Sequence, residues 1–229
     1  MAEGFQAFQS TAAAVDAAVA PYAMLSHAFY RAWEEGKLSH AALREYSRQY
    51  FHHVEAFPRA VSATHAQCPD VAGRRMLAEN LAEEEGLGEG RDAHADLWLD
   101  FAAALGADEA EVRAAHLHPE TQALIDTFRT LSRQSYAAGL GALYAYESQL
   151  PAIAATKIAG LERYGVREAR GVRFFAVHEE ADVAHAAVCR QLLDALPAGE
   201  RAEAVEAGAA LAQALYGFLD GMERSTPLV

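Results

Sequence analysis

Three ionisable residues on one otherwise apolar helix constrain this chain more than any other feature. In VHEEADVAHAAVC, Val177–Cys189, nothing breaks a helix, and at about 100° per residue His178, Asp182 and His185 fall within roughly a 60° arc. A rise of about 1.5 Å per residue places the imidazoles roughly 10 Å apart with the carboxylate between them, a span suited to two metal ions about 3.5–4 Å apart. The plain alternative is a solvated polar stripe that Glu179 and Glu180 continue. Against it stand Ala181, Val183, Ala184, Ala186 and Val188, since a helix apolar nearly all round is usually buried and buried ionisable groups need partners. Other segments must therefore bring acids, bases or cations to this face.

Those segments read as helices. Ala and Leu are abundant, β-branched residues are sparse outside short runs, and no useful period-2 alternation occurs, so one all-α domain over residues 1–229 is expected. The balance of 19 Lys plus Arg against 32 Asp plus Glu gives −13 and argues against nucleic acid or an anionic membrane as partner, leaving small molecules and proteins. No apolar run approaches the roughly 20 residues of a bilayer span, and MAEGFQAFQS lacks a basic n-region and an apolar core. Cys68 and Cys189 lie far apart and outside any CxxC pattern. A cytoplasmic, unprocessed protein with reduced thiols is expected.

Caps and breakers mark helices at about 5–19, 21–34 with Pro21 in its first turn, and 39–66 behind the cap Ser39, with a kink at Pro58. Tyr46, Tyr50, Phe51, His52, His53 and Phe57 crowd the third, a stripe that reads as core. Asp70 caps a helix running to about 85, GLGEGRD interrupts, and HADLWLDFAAAL resumes until Gly106. The glycines 86, 88 and 90 do not form a phosphate loop, because no strand precedes them and no lysine follows at the required position. A short helix from Asp108, a loop carrying His116 and His118, a helix at 120–133, one long apolar segment at 135–161 with Pro151 in its middle, and helices at about 167–195 and 200–221 complete the chain.

The apolar segment 135–161 contains one acid, Glu147, and one base, Lys157. Burying either uncompensated costs several kcal/mol. A third source of charge is ENLAEEE with the later His94, in which Glu83, Glu84 and Glu85 are alternatives. Taken with Glu84, the set Glu84, His94, Glu147, His178, Asp182 and His185 comprises three carboxylates and three imidazoles. Clustered without metal, the carboxylates would repel until one protonated; two divalent ions would neutralise them. Oxygen and imidazole ligands without thiolate suit iron or manganese, and helical bundles hold such sites in their cores.

HAFYRAW at 27–33, ENLAEEE with HADLW at 79–98, YESQLPAIAATKIAGL at 146–161, HxxxDxxH at 178–185 and YGFLD near the end occur in the order found in a known family. Over nearly the whole chain they resemble the chlamydial proteins associating with death domains and their bacterial relatives. These belong to the haem-oxygenase-like group, alongside thiaminase-type and PQQ-synthesis-type proteins. The resemblance implies a helical bundle with a dinuclear metal site on Glu84, His94, Glu147, His178, Asp182 and His185. It also implies an oxygen-dependent route to para-aminobenzoate for folate synthesis, in which Tyr30 supplies the ring and Lys157 the amino nitrogen, with Tyr46 and Tyr146 close by. Iron, or iron with manganese, dioxygen and an external reductant are the implied cofactors and co-substrates, and a homodimer the implied assembly. The interval between the Glu and the His is three residues longer here than in the chlamydial protein, so GLGEGRDA reads as an insertion that bulges as a loop.

Other readings remain. A related dimetal oxidase would consume an external small acid or amine, and an interaction module would bind its partner without metal. Two nearer relatives are set aside: a haem oxygenase would use an N-terminal histidine, for which His27 is the candidate, but six dimetal ligands would then have no purpose, and a thiaminase-type enzyme needs a nucleophilic cysteine, for which neither Cys68 nor Cys189 is well placed.

Overall fold

The computed structural model describes residues 10–226, with Glu180 described by its backbone alone. Among them are eleven α-helices and no strand. In chain order they are α1 (Thr11–Val19), α2 (Ala28–Glu34), α3 (His40–Gln67), α4 (Val71–Glu84), α5 (His94–Ala104), α6 (Glu109–Arg113), α7 (Pro119–Gln134), α8 (Tyr136–Glu147), α9 (Leu150–Leu161), α10 (Ala169–Asp194) and α11 (Arg201–Ser225).

Local chemistry sets most boundaries. Ser10, Ser39, Asp70, Asp108 and Ser135 each accept a backbone N–H of the following first turn. Gly106 ends α5 with φ +76°, a conformation open to glycine at no steric cost. Three sequence expectations change. The first helix starts after its cap at Ser10, and residues 5–9 of the expected span lie outside the described residues. The expected helix at 21–34 is two 3₁₀ turns, Ala20–Tyr22 and Met24–Ser26, followed by α2, because the His27 side chain caps the helix at Phe29. The apolar segment 135–161 is two helices that part at Ser148 and Gln149, since Pro151 has no N–H to continue α8 and sits in the first turn of α9. In contrast, α3 continues through Pro58.

Helix α8 is the centre of the bundle: every residue from Ala137 to Glu147 is buried, with α3, α7, α10 and α11 around it. Small residues make that possible. A Cβ on Gly141 would lie 2.0 Å from the carbonyl oxygen of Ala204, so the approach of α8 to α11 requires glycine. Helix α10 departs from the expectation of burial all round: His178, Asp182 and His185 face inward, while Val183, Ala184 and Ala187 are exposed. Alanine presents little apolar area, so an alanine-rich outer face is tolerated at the surface. No helix among the described residues is long and apolar enough to cross a membrane.

Candidate metal centre

The partners required by the α10 stripe come from three other helices. Glu84 closes α4, His94 opens α5, and Glu147 closes α8; all three are buried. The loop between α4 and α5 brings the first two together. It turns back at Gly86, Gly88 and Gly90, all with positive φ, and closes so tightly that a Cβ on Gly86 would meet the backbone nitrogen of Ala93 at 2.3 Å. The expected insertion is thus an excursion that returns His94 to within 2.8 Å of Glu84.

The six side chains form two triads. Glu84, His94 and His178 offer ligand atoms within 4.8 Å of one another, and so do Glu147, Asp182 and His185. The resulting chemistry is unequal: two imidazoles with one carboxylate on one side, two carboxylates with one imidazole on the other. Their exposures run from 0 % for Glu147 to 8 % for His185, so bulk water does not satisfy them.

Hydrogen bonding leaves one nitrogen of His178 and one of His185 free to face the triads. His178 donates from Nδ1 to the carbonyl of Phe174 at 2.7 Å, which directs its Nε2 lone pair elsewhere. His185 donates from Nε2 to Glu83 at 2.9 Å and keeps Nδ1 for the triad. His94 Nδ1 lies 2.8 Å from Glu84 yet lacks the alignment of a hydrogen bond. The buried atoms without a hydrogen-bond partner include His94 Nδ1, His185 Nδ1 and Asp182 Oδ2. Three such orphans in two small clusters, each costing about 1–3 kcal/mol, are the pattern expected where cations complete the coordination. The donor set fits iron or manganese, and the 2-His-1-carboxylate triad is a common iron arrangement.

Electrostatics agree. Burial pushes the Glu84 carboxyl up to about 7, and burial likewise raises Glu147 and Asp182. Burial opposes protonation of His185, but Asp182, Glu147 and Glu84 together outweigh it and lift the imidazole to about 9. His94 is driven down to about 4, mainly by burial. Burial thus disfavours the charged carboxylates, a cost that divalent ions bound there would offset.

Three further residues support the triads. Asn80 donates to Glu147 Oε1 at 2.6 Å, the Cys189 thiol donates to Glu147 Oε2 at 3.2 Å, and Arg91 from the α4–α5 loop holds Glu83 at 3.2 Å. The sequence alternatives at 83–85 are thereby separated in space: Glu84 is in the triad, Glu83 is half-buried behind His185, and Glu85 is exposed.

Beside the first triad lies a chamber of tyrosines around Lys157. Tyr30 and Tyr46 share a hydroxyl–hydroxyl hydrogen bond of 2.9 Å, Lys157 Nζ donates to Tyr46, and Tyr50 donates to Tyr146 at 3.1 Å. The Tyr46 and Tyr50 rings stack with centroids 5.4 Å apart. Tyr50 therefore links Tyr46 to Tyr146, the residue beside Glu147. Sequence reasoning placed Tyr50 in the core only; its spacing of four from Tyr46 on one helix was the signal that both share a face. Lys157 is 3 % exposed, has no acidic partner among the described residues, and lies 4.4 Å from the Tyr30 ring centre and 4.1 Å from that of Tyr46. Desolvation holds its amine well below the usual lysine range. A small internal cavity touches Tyr30, Tyr50, Lys157 and His178 at once.

The remaining candidates are occupied elsewhere. His27 accepts from Phe29 N–H through Nδ1 and contacts Asp220 through Nε2 at 3.0 Å, leaving no nitrogen for a haem. Cys189 is fully buried and its thiol is raised by burial, the opposite of a nucleophilic thiolate; Cys68 is buried and donates to the Asp70 carbonyl. His116 is exposed, and His118 pairs with Glu45 at 3.2 Å.

Fold and site together define a haem-oxygenase-like helical metalloprotein. The chain belongs to the family described as iron-containing redox enzymes, whose model matches residues 44–217, and it is therefore an oxidoreductase. It is 41 % identical over 205 residues to a 4-aminobenzoate synthase of Chlamydia pneumoniae, covering 89 % of this chain and 90 % of the relative. The fold is similar to that of a TenA homolog from Pseudomonas syringae, with a TM-score of 0.78 and 20 % identity over 93 % of this chain and 91 % of the other. It is also similar to a domain with a heme oxygenase-like fold from Shewanella denitrificans, with a TM-score of 0.71 and 18 % identity over 93 % and 88 %. At these identities the two structures speak for the fold alone.

Proposed function

We propose that this protein makes 4-aminobenzoate by oxygen-dependent oxidation of its own Tyr30, with Lys157 as the amino donor. Glu84, His94 and His178 would hold one ion, and Glu147, Asp182 and His185 a second, as iron or as iron and manganese. Bound there, reduced metal supplies the electrons that activate dioxygen, with an external reductant completing the balance. The observation that carries the reading is the small cavity lined by His178, Tyr30 and Lys157, which puts a triad histidine, a phenol and an amine whose charged form burial disfavours around one space.

The chain's own residues have distinct tasks in this reading. Lys157 sits among Tyr30, Trp33, Tyr46 and Phe175 with no acidic partner among the described residues, so burial favours the uncharged amine whose lone pair nitrogen transfer needs. Tyr46 stands between the Tyr30 hydroxyl and that amine and gives the phenolic proton of Tyr30 a place to go. Tyr50 and Tyr146 form a second hydroxyl pair, joined to the first by the stacked Tyr46 and Tyr50 rings, and provide a route for one-electron oxidation towards Glu147. Leu150, Ile153 and Phe174 line the cavity and exclude water from it.

The test is mass analysis of the metal-loaded protein before and after exposure to reductant and dioxygen. Tyr30 and Lys157 should be altered in proportion to 4-aminobenzoate formed, and Tyr30→Phe and Lys157→Met should each form none. Product accumulating while both residues keep their mass would refute the donors and favour an external substrate. The same reading takes the chain as one domain acting in the cytoplasm as a homodimer, which light scattering of the loaded protein tests.

A further inference from the structure

Outside the metal centre and the tyrosine chamber, a cleft of about 120 Å³ opens between α3 and α7. None of the triad residues lines it. Its floor is aromatic, from His53, Phe57 and Phe128, and its rim carries Arg59, Arg129 and Arg133 with no acidic side chain in the lining. That is an unusual concentration in a chain of 19 basic and 32 acidic residues. Arg129 pairs with Asp126 at 2.7 Å and Arg133 donates to the Arg129 carbonyl at 3.2 Å, while Arg59 has no ion pair among the described residues.

The floor contains an unexplained polar group. His53 is 1 % exposed, its ring stacks on Phe128 at 5.9 Å and meets Tyr146 edge-on at 4.9 Å, and its Nε2 has no hydrogen-bond partner. A phenylalanine or leucine would fill this space without leaving a buried nitrogen unpaired. Burial also holds the imidazole neutral, with its ordinary value driven down to about 3, so it adds no charge to the rim and offers one donor and one acceptor.

We propose that this cleft binds a single-ring aromatic carboxylate. The carboxylate sits in the arginine rim, the ring packs on Phe57 and Phe128, and a hydrogen-bonding substituent opposite the carboxylate meets the imidazole of His53. Each part follows from the lining. Guanidinium forks match carboxylates, whereas an inorganic anion would leave the aromatic floor uncovered. The volume is close to the roughly 150 Å³ of an apolar cavity known to take one benzene ring. Stacked and edge-on aromatic pairs add attraction beyond the area they bury. The ligand would lie one ring away from the tyrosine chain, since Tyr146 touches His53, Phe57 and Phe128 at 4.9, 5.0 and 6.1 Å. The class includes the product proposed above, but the assignment stands without that reading because the cleft shares no residue with the triads.

Isothermal titration of the full-length, metal-loaded protein with benzoate and with 4-hydroxybenzoate tests it. Both should bind saturably at one site, 4-hydroxybenzoate several-fold more tightly. The double variant Arg59→Ala/Arg133→Ala, which changes only exposed side chains, should weaken both by roughly tenfold or more. His53→Phe should erase the preference for the hydroxyl, and His178→Ala, in the metal centre, should leave both affinities unchanged. No saturable binding, full affinity in the arginine variant, or loss of binding in His178→Ala would overturn the proposal. Failure to form 4-aminobenzoate would leave these titrations intact, so the two readings fail separately.

Discussion

The triads and the tyrosine–lysine chamber adjoin each other but satisfy burial in opposite ways. In the triads, carboxylates and imidazoles crowd together, and His94 Nδ1, His185 Nδ1 and Asp182 Oδ2 find no hydrogen-bond partner among the described residues. In the chamber, the hydroxyls of Tyr30, Tyr46, Tyr50 and Tyr146 and the amine of Lys157 are each hydrogen-bonded to one another, with aromatic rings closing the rest. Buried ligand atoms without a hydrogen-bond partner among the described residues mark the first region. Charge suppressed by desolvation marks the second, where Lys157 has no acid to hold its proton. Proximity alone therefore does not make two polar clusters equivalent: one leaves buried ligand atoms unpaired, the other pairs its polar groups with one another.

Metal analysis gives the largest expected contrast. His178→Ala or Asp182→Ala should each abolish loading of its triad, and chelation of the wild-type protein should lower its melting temperature, because ions that bind only the folded state stabilise it by mass action. Tyr30→Phe should do neither; equal metal loss in that variant would erase the distinction between the regions.

Glu83→Ala is expected to weaken metal affinity by about 10–100-fold, measured by competition with a chelator, since it removes the acceptor that orients His185. Glu83→Gln should recover part of that loss, its amide oxygen still accepting from Nε2.

Lys157→Met sharpens the comparison through pH. Folding forces Lys157 to a lowered value, while the unfolded chain keeps it near 10.4, so between the two the unfolded state binds more protons. Wild-type stability should accordingly rise with pH across that window, and the part owed to Lys157 is fully lost below the folded value. The Met variant should be more stable than wild type at neutral pH and should lack this slope in denaturant titrations. An unchanged slope would show that Lys157 is charged in the fold.

The smallest effect belongs to Tyr50→Phe. Loss of its hydrogen bond to Tyr146 should cost about 0.5–1.5 kcal/mol of stability. Metal content should stay constant while oxidation of Tyr30 slows; an undiminished rate would take Tyr50 out of the chain of tyrosines.

Much of the fold was legible because helix ends carry local chemistry. Ser39, Asp70, Asp108 and Gly106 stop or start helices by interactions within a few residues, which sequence displays directly. The break at Ser148 and Gln149 was less legible, since an apolar run looks alike as one buried helix or two. The alanine-rich outer face of α10 misled for a similar reason: apolar composition does not distinguish a buried face from one that exposes only small side chains.

By itself, the sequence determined that His178, Asp182 and His185 share one side of a helix, that Glu147 and Lys157 are isolated charges in an apolar segment, and that the chain is helical throughout its periodic stretches. These are consequences of spacing and composition, which act over one or two turns. Only the tertiary structure decided which triad each residue joins, that Glu84 faces inward while Glu83 stands behind His185, and that Tyr50 connects two phenols. Those outcomes depend on how α4, α5, α8 and α10 meet around the tight return at Gly86. Contacts between residues some ten to a hundred positions apart are set by packing, which no local pattern encodes.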